Sequence, residues 1–174
     1  MLICKRDRDA YKAMVKWAIE TFIKETSGKT VLAVVQTLKQ KRKRDDNTYQ
    51  KLDQSEVAKL VEVVKKEINR SIYGSAYRNH KKMVPLLCSL EGKEKKQLLH
   101  LNFALALPSW MTEAQGMLIL KKALRKKVWC KPRSTLKKAW TPEDWFEYMT
   151  KEHDTLLLEV SNFPLAQAPQ ILPH

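Results

Sequence analysis

VPLLCSLEGKEKKQLLHLNFALALP, residues Val84–Pro108, decides the fold. It reads as two strands joined by a polar turn. Successive side chains on a strand point to opposite faces. On the second strand Leu99, Leu101, Phe103, Leu105 and Leu107 therefore share one face, and Leu98, His100, Asn102, Ala104 and Ala106 share the other. The first face is bulky enough to pack against helices. The second is small, and it presents an imidazole and a carboxamide two residues apart.

Working outward, a helix is expected from about Asp9 to Thr26, where Tyr11, Met14, Val15, Ala18, Ile19, Phe22 and Ile23 recur at helical spacing, with Gly28 as the stop. SGKT at 27–30 resembles half of a phosphate-binding loop. It lacks the upstream glycine, which is Ile23 here, and leads into a strand, so a nucleotide loop is rejected. TVLAVVQTL, 30–38, is β-branched and reads as a buried strand. The charge run Lys39–Asn47 (KQKRKRDDN) is expected to be a solvated loop. It is either a plain connector, a clamp on phosphates through Lys39, Lys41, Arg42, Lys43 and Arg44, or in a eukaryotic host a nuclear import signal.

Asp53 and Glu56 have capping spacing ahead of a second helical stripe, Val57, Leu60, Val61, Val64, Ile68 and Ile72, ended by Gly74. The basic SAYRNHKK behind it is expected to be exposed, with His80 a surface histidine. Thr112 and Gln115 repeat the capping spacing, and the helix they open is expected to reach Lys127. Lys121, Lys122, Arg125, Lys126 and Lys127 load its end with more cations than the helix dipole alone requires, which points to a nucleic-acid face. A short strand is possible around Ser134–Lys138. Thr141 then caps a helix with Pro142 at its first position, and Thr155–Val160 offers an edge strand.

The 174 residues fit one domain, with Lys+Arg 33 against Asp+Glu 19, a net +14. Such an excess favours a phosphate polyanion as partner, with nucleic acid ahead of membrane. Cys4, Cys88 and Cys130 form no C-x-x-C pair, so no disulfide framework or zinc ribbon is indicated. The expectation is a soluble protein of a reducing compartment, cytoplasmic or, in a eukaryotic host, nuclear. It has no signal segment, no membrane span and no small-molecule substrate. The order of elements suits an α+β fold, an antiparallel sheet backed by helices of the ferredoxin-like kind. Residues 1–28 would add an N-terminal helix to a core of 29–161, followed by an extended proline-containing tail, 162–174.

Two constellations carry chemistry. If the hairpin turns near Glu94 and Lys95, Glu91 falls opposite Leu98 and diagonal to His100, on the face of His100 and Asn102. One nitrogen and two oxygen donors suit Mg²⁺ or Mn²⁺ better than zinc. The alternative is plain hydrogen bonding within the sheet. Tyr148 and Lys151, three apart on a helix, are neighbours. A cation beside a phenol whose ordinary pKa is about 10 favours the phenolate. The alternative is an ordinary amphipathic pair beside Trp145.

Together, TVLAVVQTLKQ, the Glu91-plus-His100-x-Asn102 block SLEGKEKKQLLHLNFALALP and the Tyr-x-x-Lys block WFEYMTKE resemble the HUH endonucleases, especially rolling-circle replication initiators. INRSIYGSAYRNHKKMVPLL is similar to the segment preceding the metal strand in small bacterial replication proteins. The likeness spans about Thr30 to Glu152.

It implies an HUH-like nuclease domain, with Mg²⁺ or Mn²⁺ held by Glu91, His100 and Asn102 and with Tyr148 as nucleophile. Lys151 would steady the phenolate or the phosphate site. It further implies a covalent 5′-phosphotyrosine link to single-stranded or hairpin origin DNA of a mobile element, and a helicase partner, since no helicase-like segment follows. Asn102 stands where the family has its second histidine; some viral relatives carry glutamine there. Two other readings stay open: a catalytically silent HUH-fold DNA-binding regulator or interference protein, and an RNA-binding ferredoxin-like module.

Overall fold

The structure, a computed structural model, describes residues 5–92, 98–125, 127–138 and 141–150. Four strands, β1 (Val31–Leu38), β4 (Leu86–Glu91), β5 (His100–Ala106) and β6 (Cys130–Lys138), form one antiparallel sheet in the order β4-β5-β1-β6. Between them run α2 (Gln54–Tyr73), the short α3 (Ser75–His80) and α4 (Glu113–Leu124). The helices α1 (Lys5–Thr26) and α5 (Pro142–Thr150) flank this core. β1 and β4 both run antiparallel to the β5 inserted between them. A β-α-β-β-α-β chain with that strand order is compatible with the ferredoxin-like arrangement. The class is therefore α+β, with a four-stranded antiparallel sheet backed by helices.

The alternation along β5 sorts the molecule into layers. Leu101, Phe103, Leu105 and Leu107 enter the larger core with Leu32, Val34 and Leu38 of β1 and the apolar stripes of α2 and α4. Ala104 and Ala106 join a second cluster with Val31, Leu87, Ala18 and Phe22 of α1, and Phe146 and Met149 of α5. The small face is thus not bare. Its alanines leave room for α1 and α5 to lie close, and the rings of Phe22 and Phe146 meet edge to face at 5.1 Å between centroids.

The helix starts follow their capping residues. Asp53 accepts from the Glu56 amide at 2.8 Å, and Thr112 with Gln115 closes a reciprocal capping box. Gly74 ends α2 at φ +53°, but the chain re-enters one helical stretch, α3, whose residues are half-buried or exposed. Asn69, buried on α2, accepts from the Val84 amide at 2.8 Å through Oδ1 and so ties the helix to the entry of β4.

Three expectations change. The Lys39–Asn47 run is not a plain loop, because Lys41–Lys43 (β2) pairs antiparallel with Tyr49–Lys51 (β3) as a small hairpin. Its turn is built by Asp46, whose Oδ1 accepts from the Thr48 amide and hydroxyl at 2.9 and 2.6 Å, and by Asn47 at φ +65°, a conformation asparagine tolerates. α4 stops at Leu124 rather than Lys127, since Arg125 is already extended. The strand expected near Ser134–Lys138 begins earlier, at Cys130, past an irregularity opposite Gln36–Leu38. The turn at Glu94–Lys95, the expected edge strand 155–160 and the tail lie outside the described residues.

Gly92 follows Glu91 at φ +101°, and a Cβ there would stand 2.7 Å from the Leu98 carbonyl oxygen, a backbone atom that cannot swing aside. Gly92→Ala should therefore destabilise the fold by at least about 1–2 kcal/mol. A thermal melt would show this as a fall of several degrees; an unchanged midpoint would contradict the turn geometry.

Candidate functional site

The polar group on the small face is assembled by register. Glu91 pairs directly with His100, and Ser89 with Asn102, on β4 and β5; Thr37 and Val35 of β1 continue the same two rows. The sequence expectation of Glu91 opposite Leu98 is thus off by two residues. Because two preserves the face, the carboxylate comes nearer to the imidazole instead of leaving it. In sequence, residues 93–97 (KEKKQ) contain no residue pair that specifies a turn type.

Asn102 and Ser89 are fully buried, Glu91 is 9% exposed and His100 is half-buried. Asn102 Nδ2 donates to Glu91 Oε2 at 3.2 Å and makes a long contact with Ser89 Oγ at 3.5 Å. An ionised carboxylate only accepts, so Glu91 fixes which way the carboxamide faces. Its other end, Asn102 Oδ1, is the one buried side-chain polar atom without a hydrogen-bond partner among the described residues. Leaving such an atom unsatisfied costs about 1–3 kcal/mol. His100 Nδ1 lies 3.2 Å from Thr37 Oγ1. In the tautomer with the proton on Nδ1, that bond orients the ring and leaves Nε2 with its lone pair. This is the second-sphere arrangement that metal-binding histidines use.

No group of three or more His, Cys, Asp or Glu fit to hold a metal occurs among the described residues. A divalent ion here would need the carboxamide as a ligand. The donor set fits a hard ion: a carboxylate oxygen, an amide oxygen already lacking a partner, and one imidazole nitrogen.

α5 lies over the same face. Phe146 and Met149 sink into the alanine end, and Trp145 Nε1 donates to the Phe103 carbonyl at 3.2 Å, next in sequence to Asn102. Tyr148 stacks on Trp145, with centroids 5.1 Å apart and planes 16° apart, and remains 39% exposed. The fold thus puts Tyr148 on the side of the sheet that bears Glu91, His100 and Asn102. Lys151, expected as its partner, lies outside the described residues.

The predicted cations divide. Lys39, Lys121, Lys122, Arg125 and Lys127 line one broad groove of about 1080 Å³ beside β6, and Lys126 lies outside the described residues. The groove adds Lys131, which the sequence reading missed because a lone lysine in an ambiguous stretch carries no pattern. Lys121 and Arg125, four apart, repel by about 0.2–0.5 kcal/mol when nothing neutralises them. Lys127 alone among the six makes a described ion pair, with Glu67.

Lys41, Lys43 and Arg44 are exposed on the β2–β3 hairpin. Arg42 instead holds that hairpin down. Its guanidinium sits 5.0 Å from the Trp129 ring centroid and Nε donates to Gln50 at 2.8 Å, while Trp129 Nε1 donates to Glu56 Oε2 at 3.0 Å.

Burial pushes the Cys130 thiol up to about 11 and the Cys88 thiol well above its ordinary value, so neither offers a thiolate near neutrality. Comparison with protein-family models, curated proteins and solved structures finds no match.

Glu56 is held below the ordinary carboxylate range, first by the Trp129 indole N–H and then by Lys59. A carboxyl lowered on folding contributes stability above its unfolded value near 4.5, and that contribution is lost as pH falls through the folded value. Acid titration should therefore loosen Trp129 below about pH 4.5, and Glu56→Gln should flatten that dependence. An identical acid limb in the variant would remove Glu56 from this role.

Proposed function

We propose that this chain is a metal-dependent endonuclease and strand transferase that nicks and rejoins single-stranded DNA through Tyr148. It would start rolling-circle-type replication or mobilisation of a mobile element. The observation that carries the reading is the trio on the small face, Glu91, His100 and Asn102, with an orphaned buried amide oxygen and a tyrosine-bearing helix over the same face. A buried polar group without a partner is a cost that a purely structural strand would avoid by placing leucine or valine there. The net charge of +14 supplies the attraction for a phosphate chain.

In this reading Glu91, Asn102 and the His100 nitrogen not bonded to Thr37 would hold Mg²⁺ or Mn²⁺, with Thr37 keeping the imidazole in place. Such an ion would supply withdrawal of charge from the scissile phosphate. Tyr148 Oη gives its proton to solvent and attacks phosphorus. The bond from phosphorus to the 3′-oxygen breaks, and that oxygen leaves as a hydroxyl after taking a proton back from solvent. The product is a 5′-phosphotyrosine link, and attack by a 3′-hydroxyl on that link reverses the step and joins strands. Stacking on Trp145 limits the orientations of the phenol, which keeps the nucleophile aligned. Lys151 is assigned to the phenolate or the phosphate. A separate helicase would supply unwinding.

One observation favours the second reading, a silent DNA-binding regulator of the same fold: the Asn102 amide already occupies one Glu91 oxygen. The two readings separate cleanly. With Mn²⁺ and single-stranded origin DNA, the wild-type chain should form a denaturation-resistant protein–DNA adduct, lost in Tyr148→Phe, and Asn102→His should bind Mn²⁺ at least as tightly as wild type. Salt-sensitive DNA binding without an adduct, in wild type and in Asn102→His alike, would leave the regulator. An adduct that persists in Tyr148→Phe would take the nucleophile's role from Tyr148.

A further inference from the structure

The β2–β3 hairpin is a two-stranded ribbon apart from the main sheet. In each of its strands, Lys41–Lys43 and Tyr49–Lys51, two exposed residues flank a half-buried one. The inner pair, Arg42 and Gln50, is held on the core. The Arg42 guanidinium sits over the Trp129 ring, which is buried, and Arg42 Nε donates to Gln50 Oε1 at 2.8 Å. Side chains alternate along a strand, so Lys41, Lys43, Tyr49 and Lys51 form the outer face. The register sets Lys41 opposite Lys51 and Lys43 opposite Tyr49. Like charges directly opposite each other repel, and no described ion pair neutralises any of the three lysines. The hairpin's own carboxylates, Asp45 and Asp46, lie at its turn, where Asp46 is engaged by Thr48.

The backbone follows the same alternation. Arg44 N donates to the Thr48 carbonyl at 2.8 Å, and Leu52 N to the Gln40 carbonyl at 3.0 Å. In an antiparallel pair, residues that exchange hydrogen bonds alternate with residues that do not. Arg42 and Gln50 therefore bond within the ribbon, whereas the N–H and C=O groups of Lys41, Lys43, Tyr49 and Lys51 point away from it. Among the described residues no third strand pairs with either edge. The β2 edge carries two cations, Lys41 and Lys43, against Lys51 alone on the β3 edge.

We propose that the β2 edge is a docking site for an extended acidic segment of another protein, which adds as a third strand and sets its carboxylates against Lys41 and Lys43. Side chains on one face of a strand recur every second residue, so the segment carries Asp or Glu at alternate positions. Lysines on an edge strand ordinarily keep like edges apart. The same charges discriminate in favour of an acidic strand. A nucleic acid fits this edge less well. Its phosphates only accept hydrogen bonds and would set negative oxygens against the outward carbonyls of Lys41 and Lys43, whereas a peptide strand offers each residue both a donor and an acceptor. Nor does the hairpin present Lys41 to Arg44 as one continuous cationic run, because Arg42 is turned in over Trp129. That anchored inner face holds the edge in its pairing conformation before any partner arrives, which lowers the cost of docking. The surface is separate from Glu91, His100 and Asn102, and it stands whether or not Tyr148 is a nucleophile.

The test is an NMR titration of the isotopically labelled full chain with synthetic probes. The first probe is a short end-capped peptide with glutamate at alternate positions and threonine between. The others are the same peptide fully N-methylated, a peptide with lysine in place of glutamate, and a single-stranded oligonucleotide of equal charge. The glutamate peptide should shift the Lys41 and Lys43 amides, slow their hydrogen exchange, and bind roughly tenfold more tightly than its N-methylated form, which keeps the charge but cannot donate to the edge. Lys41→Glu with Lys43→Glu should lose the glutamate peptide and gain the lysine peptide. Lys121→Glu with Arg125→Glu removes the same charge elsewhere and should keep the glutamate peptide.

The substituted side chains are exposed, and an unchanged melting midpoint confirms folding. Equal binding of the N-methylated peptide would reduce the contact to charge attraction and overturn strand addition. Tighter binding of the oligonucleotide at the same amides would give the edge to nucleic acid. Shifts centred on the groove beside β6, or no binding of the glutamate peptide, would equally overturn the proposal. Adduct formation by the wild-type chain is read separately. Its absence beside peptide binding would sink the nicking reading and leave this edge, and an adduct without peptide binding would do the reverse.

Discussion

Everything in this molecule hangs on the pairing of β5 with both of its neighbours. Seven consecutive residue pairs join it to β1 and six join it to β4, so that Glu91, His100 and Thr37 fall in one row and Ser89, Asn102 and Val35 in the next. A slip of one residue would turn the leucines of β5 out of the larger core and the polar pair into it. The burial of Leu101, Phe103 and Leu105 against α2 and α4 therefore fixes the position of the trio as firmly as any contact within the trio does. The placement of the polar cluster follows from the packing.

The same alternation explains how a central strand can carry polar groups at all. Beyond Asn102 the small face turns to alanine, and α1 and α5 close over that half through Phe22, Phe146 and Met149. Toward His100 the face holds Glu91, Ser89 and Thr37, whose hydrogen bonds satisfy most of the trio but leave Asn102 Oδ1 alone. At the same end of the sheet β1 leads into the basic hairpin, pinned by Arg42 on Trp129, and β6 begins beside the groove. The chain thus gathers its polar cluster and much of its positive charge where the ends of all four strands meet.

Much of this was legible in the sequence. Asp53, Thr112 and Thr141 announced their helices because capping is a local hydrogen-bonding rule. β5 announced itself through strict alternation of large and small residues. Glu91, His100 and Asn102 were placed on one face correctly despite a register error of two, since strand faces repeat with that period. What stayed hidden depended on distant partners. The alanines marked a small face without showing that α1 and α5 pack on it, and KRK next to a short YQK pairing was too brief to show strand periodicity. Lys131 joined the groove only through the position of α4. The resemblance to HUH endonucleases rests on the motif residues and their order.

The divalent ion proposed for the small-face trio can be sought by titrating Mn²⁺ into isotopically labelled protein and mapping paramagnetic broadening. The Asn102 side-chain amide and the His100 ring should broaden first, at substoichiometric Mn²⁺, and Glu91→Gln should abolish the effect. Broadening centred on exposed carboxylates such as Asp45 or Glu113, with Asn102 and His100 still sharp, would contradict that site.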